Sequence, residues 1–199
     1  MCRFIETICI DNGEIRNLPY HDRRLNHTRQ HFWERSTPLQ LSDYILPPQE
    51  AGKIKVRVVY GEAGMEEIGY SPYSLRKVQT LALIRCDDID YPYKSTDREA
   101  LNRLFAHRGM CDDILLVKEG LITDTTIANI AFYDGNSWYT PQHPLLKGTK
   151  RAQLLDQGLL LEKDLKPEDL SSFIAIRLFN AMIDWGELEL PIQALRTNF

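Results

Sequence analysis

Residues 112–132 read DDILLVKEGLITDTTIANIAF, and the reading of the whole chain turns on them. An apolar run, Ile114, Leu115, Leu116 and Val117, enters a Lys118-Glu119-Gly120 turn and returns as a second short strand. A polar loop, Asp124-Thr125-Thr126, comes next, followed by the apolar run 128–132 with Asn129 inside it. Short apolar runs bounded by turn residues read as buried strands. A carboxylate followed by hydroxyls between two strands then has two readings. Asp and Thr are ordinary turn formers. Alternatively, Asp124 faces a buried cationic ring and the loop binds the ring's substituents.

Working outward, residues 4–10 alternate as a strand, and Asp11-Asn12-Gly13 is a hairpin turn into a second strand over 14–18. Residues 21–34 predict a helix with Leu25, Thr28 and Phe32 on one face, and Ser42 a cap for a short helix ended by Pro47-Pro48. Strands follow over 53–60, 67–71 and 78–86. A Pro-containing link over 88–93 separates an N-terminal α+β subdomain, 1–87, from a C-terminal one, 94–199. The pattern Thr96-x-x-Glu99 is a capping box for a helix over 97–107 closed by Gly109. Beyond the opening stretch come a turn at Asp134-Gly135-Asn136, a strand over 137–140, a helix over 149–160, and strands near 173–177 and 188–190. The order predicts a mixed α/β chain. No Gly-x-Gly-x-x-Gly follows a strand, so no dinucleotide domain is indicated.

With 199 residues, 43% hydrophobic and 26% charged, the composition is that of a globular protein able to bury a sizeable core. A net charge of -4 gives no general attraction to nucleic acid or to anionic membranes. No apolar run is long enough to span a bilayer and no signal-peptide core is visible, so a cytoplasmic protein is expected. The four cysteines form no Cys-x-x-Cys pair, and His27 and His31, one helical turn apart, have no third ligand at suitable spacing; no metal site is expected.

The pattern G-x-x-x-acid-x-x-x-x-N-x-x-F from Gly120 onward, followed by Leu146-Lys147-Gly148-Thr149-Lys150-Arg151, resembles the class IV aminotransferase family. Phe4-Ile5-Glu6-Thr7-Ile8, His21-Asp22-Arg23-Arg24-Leu25, Lys94 before Asp97-Arg98, and Phe179-Asn180-Ala181-Met182 extend the resemblance over nearly the whole chain. It implies a two-subdomain, D-amino acid aminotransferase-like fold of the fold type IV pyridoxal-phosphate enzymes, with mixed, mainly antiparallel sheets. It further implies pyridoxal 5'-phosphate as cofactor, a small amino-bearing carboxylic acid as substrate, and a homodimer. Members usually carry a further strand pair before Phe-x-Glu-Thr. Here Met1 stands three residues ahead of Phe4, which implies a more open pocket or one completed by the partner subunit.

Read alone, Lys94 is a solvated lysine in a linker, although Tyr91, Pro92 and Tyr93 offer the stiff apolar setting in which an amine loses its proton. The resemblance makes it the lysine that bonds the cofactor aldehyde and moves the proton at the substrate carbon bearing the amine. Asp124 stands where the family has a Glu against the pyridine nitrogen, one methylene shorter. Arg24 is either part of a solvated basic helix face or, by resemblance, the arginine that binds the cofactor phosphate. Gly148 and Thr149 open a helix whose N–H groups can receive an anion; the resemblance places them, Lys150 and Thr126 around the cofactor, with Lys150 where members often have a second Thr. Lys55 and Arg57, two apart on a strand, share a face and suit a substrate carboxylate or an exposed surface equally. Asn180 is a turn residue at a strand end or, by resemblance, a residue beside the cofactor.

The Asn180-Ala181-Met182 string looks more like 4-amino-4-deoxychorismate lyase, which releases pyruvate and forms 4-aminobenzoate, a folate precursor, than like the branched-chain or D-amino acid aminotransferases. A third reading, from another class, is a degenerate member that binds a ligand without catalysis. Asp124, Lys150 and the short N-terminus favour that reading, and Lys94 opposes it.

Overall fold

The computed structural model describes residues 2–48 and 52–196. The chain forms two compact units, Met1–Leu75 with Tyr93–Asp97, and Arg76–Pro92 with Arg98–Phe199. The expected division at 88–93 therefore moves. The strand read over 78–86 pairs in parallel with the strand that begins at Asp113, so it belongs to the second unit.

The first unit is built on β1 (Phe4–Asp11), β2 (Glu14–Ile15), β3 (Lys53–Gly61) and β4 (Gly64–Pro72), an antiparallel sheet in the order β2-β1-β3-β4. Asn12 and Gly13, with φ of 49° and 82°, make the hairpin turn their sequence predicts. Asn17, at φ 62°, ends the second strand well before residue 18. The helix α1 (Leu18–Phe32) thus starts earlier than residue 21, with Pro19 in its first turn, where proline's fixed φ suits the helix. Ser42 caps nothing: the N-cap of the 3-10 turn Leu41–Asp43 is Gln40, and Asp22 accepts from Leu41 N at 2.8 Å. Phe4, Ile8 and Ile10 of β1 and Ile54, Val56, Val58 and Tyr60 of β3 alternate onto one face and pack with Leu25 and Leu41.

Where β2 stops, a piece of later chain takes over the edge of β1. Ile5 N donates to Lys94 O at 2.8 Å, Thr96 N to Arg3 O at 3.0 Å, and Phe4 stands opposite Ser95. Thr96 Oγ1 also donates to Arg3 O, at 3.2 Å. That engagement overturns the expected capping box: α2 (Glu99–Ala106) starts behind Arg98 with no side-chain cap.

The second unit holds β5 (Leu81–Arg85), β6 (Asp113–Lys118), β7 (Leu121–Thr125), β8 (Asn129–Tyr133), β9 (Trp138–Pro141), α3 (Thr149–Asp156), β10 (Leu161–Lys163), β11 (Ala175–Phe179), β12 (Glu189–Pro191) and β13 (Leu195–Arg196). They form two sheets, β13-β5-β6-β7 and β10-β9-β8-β11-β12. Pairing is antiparallel except at β5–β6, β13–β5 and β9–β10. β6 is central, and its residues from Asp113 to Val117 are all buried, which is why it reads as an unbroken apolar run. Glu119 and Gly120, at φ 51° and 78°, turn it into β7. α3 ends near Asp156 rather than 160, because Gly158 takes a left-handed φ of 69°.

Candidate active site

In the second unit the decisive residue is Asp124, 5% exposed on β7. Its Oδ1 accepts from Asn129 Nδ2 at 2.8 Å and its Oδ2 from Leu146 N at 2.9 Å. Burial pushes its pKa up to about 6, against the bonds from Leu146 and Asn129 and the charge of Arg151. The donors that touch it are neutral, so its negative charge lacks a bonded cation and costs free energy in this setting.

Asn129 ties this carboxylate to the next loop. Its second amide hydrogen goes to Leu146 O at 2.9 Å. Its Oδ1 occupies the space that a Cβ on Gly148 would need. Gly148 has an ordinary extended φ of -70°, so the glycine is required by space alone. It is the N-cap of α3, whose first residue, Thr149, is buried. Asp124, Gly148 and Thr149 are thereby brought to one place. Arg151, also buried, bonds Pro141 O at 2.8 Å and Glu162 at 2.6 Å.

Three other sequence candidates in this unit have defined engagements. The Thr126 hydroxyl donates to Asp113 at 2.7 Å, and its carbonyl accepts from Arg98 at 2.6 Å, so it fixes the loop after Asp124. Lys150 Nζ pairs with Asp184 at 2.5 Å. Asn180 Nδ2 donates to Ile127 O at 3.0 Å, while its Oδ1 accepts from Met182 N and Ile183 N. It is both the turn residue at the end of β11 and a strut for the Asp124 loop.

In the first unit, Arg24 grips Glu6 through Nε at 2.8 Å and Nη2 at 2.6 Å, and His21 Nδ1 meets the same carboxylate at 2.6 Å. Glu6 and His21 are wholly buried. Burial opposes ionisation of Glu6, but the charge of Arg24 and the bonds from His21 and Arg24 prevail and hold its pKa at about 2. Burial lowers the pKa of His21, opposed by Glu6 and assisted by the positive charges of Arg24 and Lys94. An ionised Glu6 beside a neutral imidazole assigns the proton to Nδ1, which donates.

The pairing of β1 with residues 94–96 sets the backbone of Lys94 opposite Ile5, next to Glu6 in sequence, and the charge of Lys94 acts on His21. Arg57 pairs with Thr7 and Lys55 with Cys9, so the two half-buried cations share one face of the sheet. Strand spacing puts the Cα atoms of Lys94 and Arg57 about 12 Å apart. Arg57 also meets Glu67 at 3.5 Å.

Glu6, His21, Asn129, Arg151 and Asp113 were not singled out as site residues from sequence. Glu6 did carry a signal, a carboxylate in register with the apolar row Phe4, Ile8, Ile10.

The second unit thus offers a buried carboxylate beside a glycine-opened helix start, suited to an anionic aromatic cofactor. The first offers two cations, Lys55 and Arg57, on one sheet face, suited to an acidic group, and a lysine whose backbone borders β1. The model of the amino-transferase class IV family matches residues 66–188, and the chain belongs to that family. The family depends on pyridoxal phosphate, and its fold type IV architecture, mixed α/β with mostly antiparallel sheets, is the one described above. An uncharacterised protein of Haemophilus influenzae is 37% identical over 186 residues, which is 92% of this chain and 98% of that one. A crystal structure of a candidate 4-amino-4-deoxychorismate lyase from Haemophilus somnus superposes with a TM-score of 0.86 at 34% identity, over 92% of this chain and 97% of that one. A candidate amino-acid aminotransferase from Mesorhizobium loti shares the fold with a TM-score of 0.80 at 24% identity, over 99% of this chain and 100% of that one. Among the described residues no helix is long and apolar enough to cross a membrane.

Proposed function

We propose that the chain is a pyridoxal-phosphate enzyme that removes pyruvate from 4-amino-4-deoxychorismate to give 4-aminobenzoate, acting as a cytoplasmic homodimer. The observation that carries the cofactor is Asp124: a buried carboxylate with neutral donors suits a protonated pyridine nitrogen, which supplies the missing cation. Gly148 and Thr149 suit the same group, because they open α3 at its positive end, where backbone amides favour an anion. The lyase branch is supported by the likeness to the Haemophilus somnus protein and by Asn180, which braces the Asp124 loop.

When bound, the cofactor draws the electrons of the bond broken at the substrate into its ring. Lys94 is the residue of covalent attachment and, once released, the base that takes the proton from the carbon bearing the amine. The same ammonium then returns a proton as the enolpyruvyl oxygen leaves and the ring becomes aromatic. Asp124 keeps the ring nitrogen positive. The family resemblance assigns the phosphate to Arg24 in the first unit and to the backbone of Gly148, Thr149 and Lys150 in the second, and Thr126 fixes the loop after Asp124. The Lys150 side chain is committed to Asp184 and serves this site through its N–H. Lys55 and Arg57 take a substrate carboxylate.

The test is the purified protein with pyridoxal phosphate. Borohydride should fix the cofactor to the peptide carrying Lys94, and 4-amino-4-deoxychorismate should yield pyruvate with no keto acid added. Turnover that requires a keto acid would replace the lyase by an aminotransferase. Absence of a reducible adduct would end the reading.

A further inference from the structure

The mechanism above makes no use of two wholly buried ionisable groups, Glu6 and His21. A carboxylate in the apolar row of β1 is costly to retain unless its charge serves a purpose. Its bonds are directional. Glu6 takes one hydrogen from Arg24 Nε and one from Nη2, a fork that fixes the plane of the guanidinium and the direction of its opposite edge. His21 then fixes Glu6 through Nδ1 on the same Oε2 that Arg24 Nη2 uses. Glu6 itself sits on the strand that holds Lys94, one residue past the Ile5–Lys94 bond.

We propose that Glu6 and His21 are positioning residues that aim Arg24 at the cofactor phosphate, with Glu6 orienting the guanidinium and His21 locking Glu6. The proposal rests on the pyridoxal-phosphate reading. The chain of contact runs His21 to Glu6 to Arg24, and neither of the first two touches the cofactor. A neutral His21 suits this role because it donates one hydrogen without competing, as a second cation, for the charge that holds Arg24.

Binding to the apoprotein separates this from a merely structural role. Pyridoxal has the same ring and aldehyde as pyridoxal phosphate but no phosphate, so the ratio of the two dissociation constants isolates the phosphate grip. Glu6→Gln should cut that ratio by roughly tenfold or more, as loss of a charge-assisted bond would, and leave pyridoxal binding within about twofold. His21→Leu should do the same in part, and His21→Asn, whose amide can donate from the place of Nδ1, should restore it. The His21 pair decides the matter if Glu6→Gln does not fold. A ratio unchanged in folded His21→Leu overturns the proposal while wild-type binding keeps the cofactor reading intact. A wild-type apoprotein with no preference for the phosphorylated form overturns both.

Discussion

Replacing Asp124 by Asn tests the electrostatic basis of the site. The carboxyl titrates near pH 3.8 when solvated and at about 6 in the fold, because burial disfavours its charge. A group whose folded pKa is raised binds more protons in the folded state between those two values, so stability falls as pH rises through that window. The difference corresponds to about 3 kcal/mol of destabilisation, fully present above pH 6 and absent below pH 4. The amide introduced by Asp124→Asn would carry no such charge. One of the oxygens that now accept from Asn129 and Leu146 becomes an NH2 facing a donor, a fixed cost at every pH. Glu6 and His21, both lowered, act the opposite way, losing stability as pH falls, and do so in both proteins. The assay is therefore a difference: unfolding free energies of the two apoproteins by urea titration from pH 4 to 8. The wild type should lose ground to Asp124→Asn by about 3 kcal/mol across that range. Adding pyridoxal phosphate should stabilise the wild type at pH 8 far more than the variant. Parallel pH profiles would refute the view that Asp124 is held ionised at a cost awaiting a cation.

Two further outcomes follow from geometry. Gly148→Ala should lower stability by about 1–3 kcal/mol and weaken cofactor binding, because a new Cβ must displace Asn129 and with it both bonds to Asp124 and Leu146; an unchanged melting temperature and affinity would show that the loop yields freely. Arg57→Ala should raise KM for the acidic substrate by about tenfold or more with a smaller change in kcat, as expected for a carboxylate held alike throughout the reaction. Steady-state kinetics with unchanged KM would assign Arg57 to its Glu67 partner alone.

Much of this was legible in local sequence. Asn12-Gly13 turns where its residue types favour it, Gly120 marks the turn after β6, and the apolar run of β6 is buried because nothing polar interrupts it between Ile114 and Val117. What failed were features set by distant chain. Thr96-x-x-Glu99 is a sound capping signal, but Thr96 is spent on Arg3, ninety-three residues away. Residues 78–86 look like any amphipathic strand, and only their parallel partner decides which unit owns them. The site shows the same split. Asp124 stands out by type, whereas Asn129 matters because folding brings Leu146 and Gly148 to it, and spacing alone does not encode that.

The loan of residues 93–97 to the first sheet sets a schedule for synthesis. A nascent chain with only its first 75 residues exposed leaves one side of β1 unpaired at Phe4 and Ile5, a bare edge open to wrong partners. The segment that closes it is translated after β5, so an N-terminal fragment of 75 residues would lack that border of its own sheet. On the proposed function, cofactor attachment waits until that segment has left the ribosome.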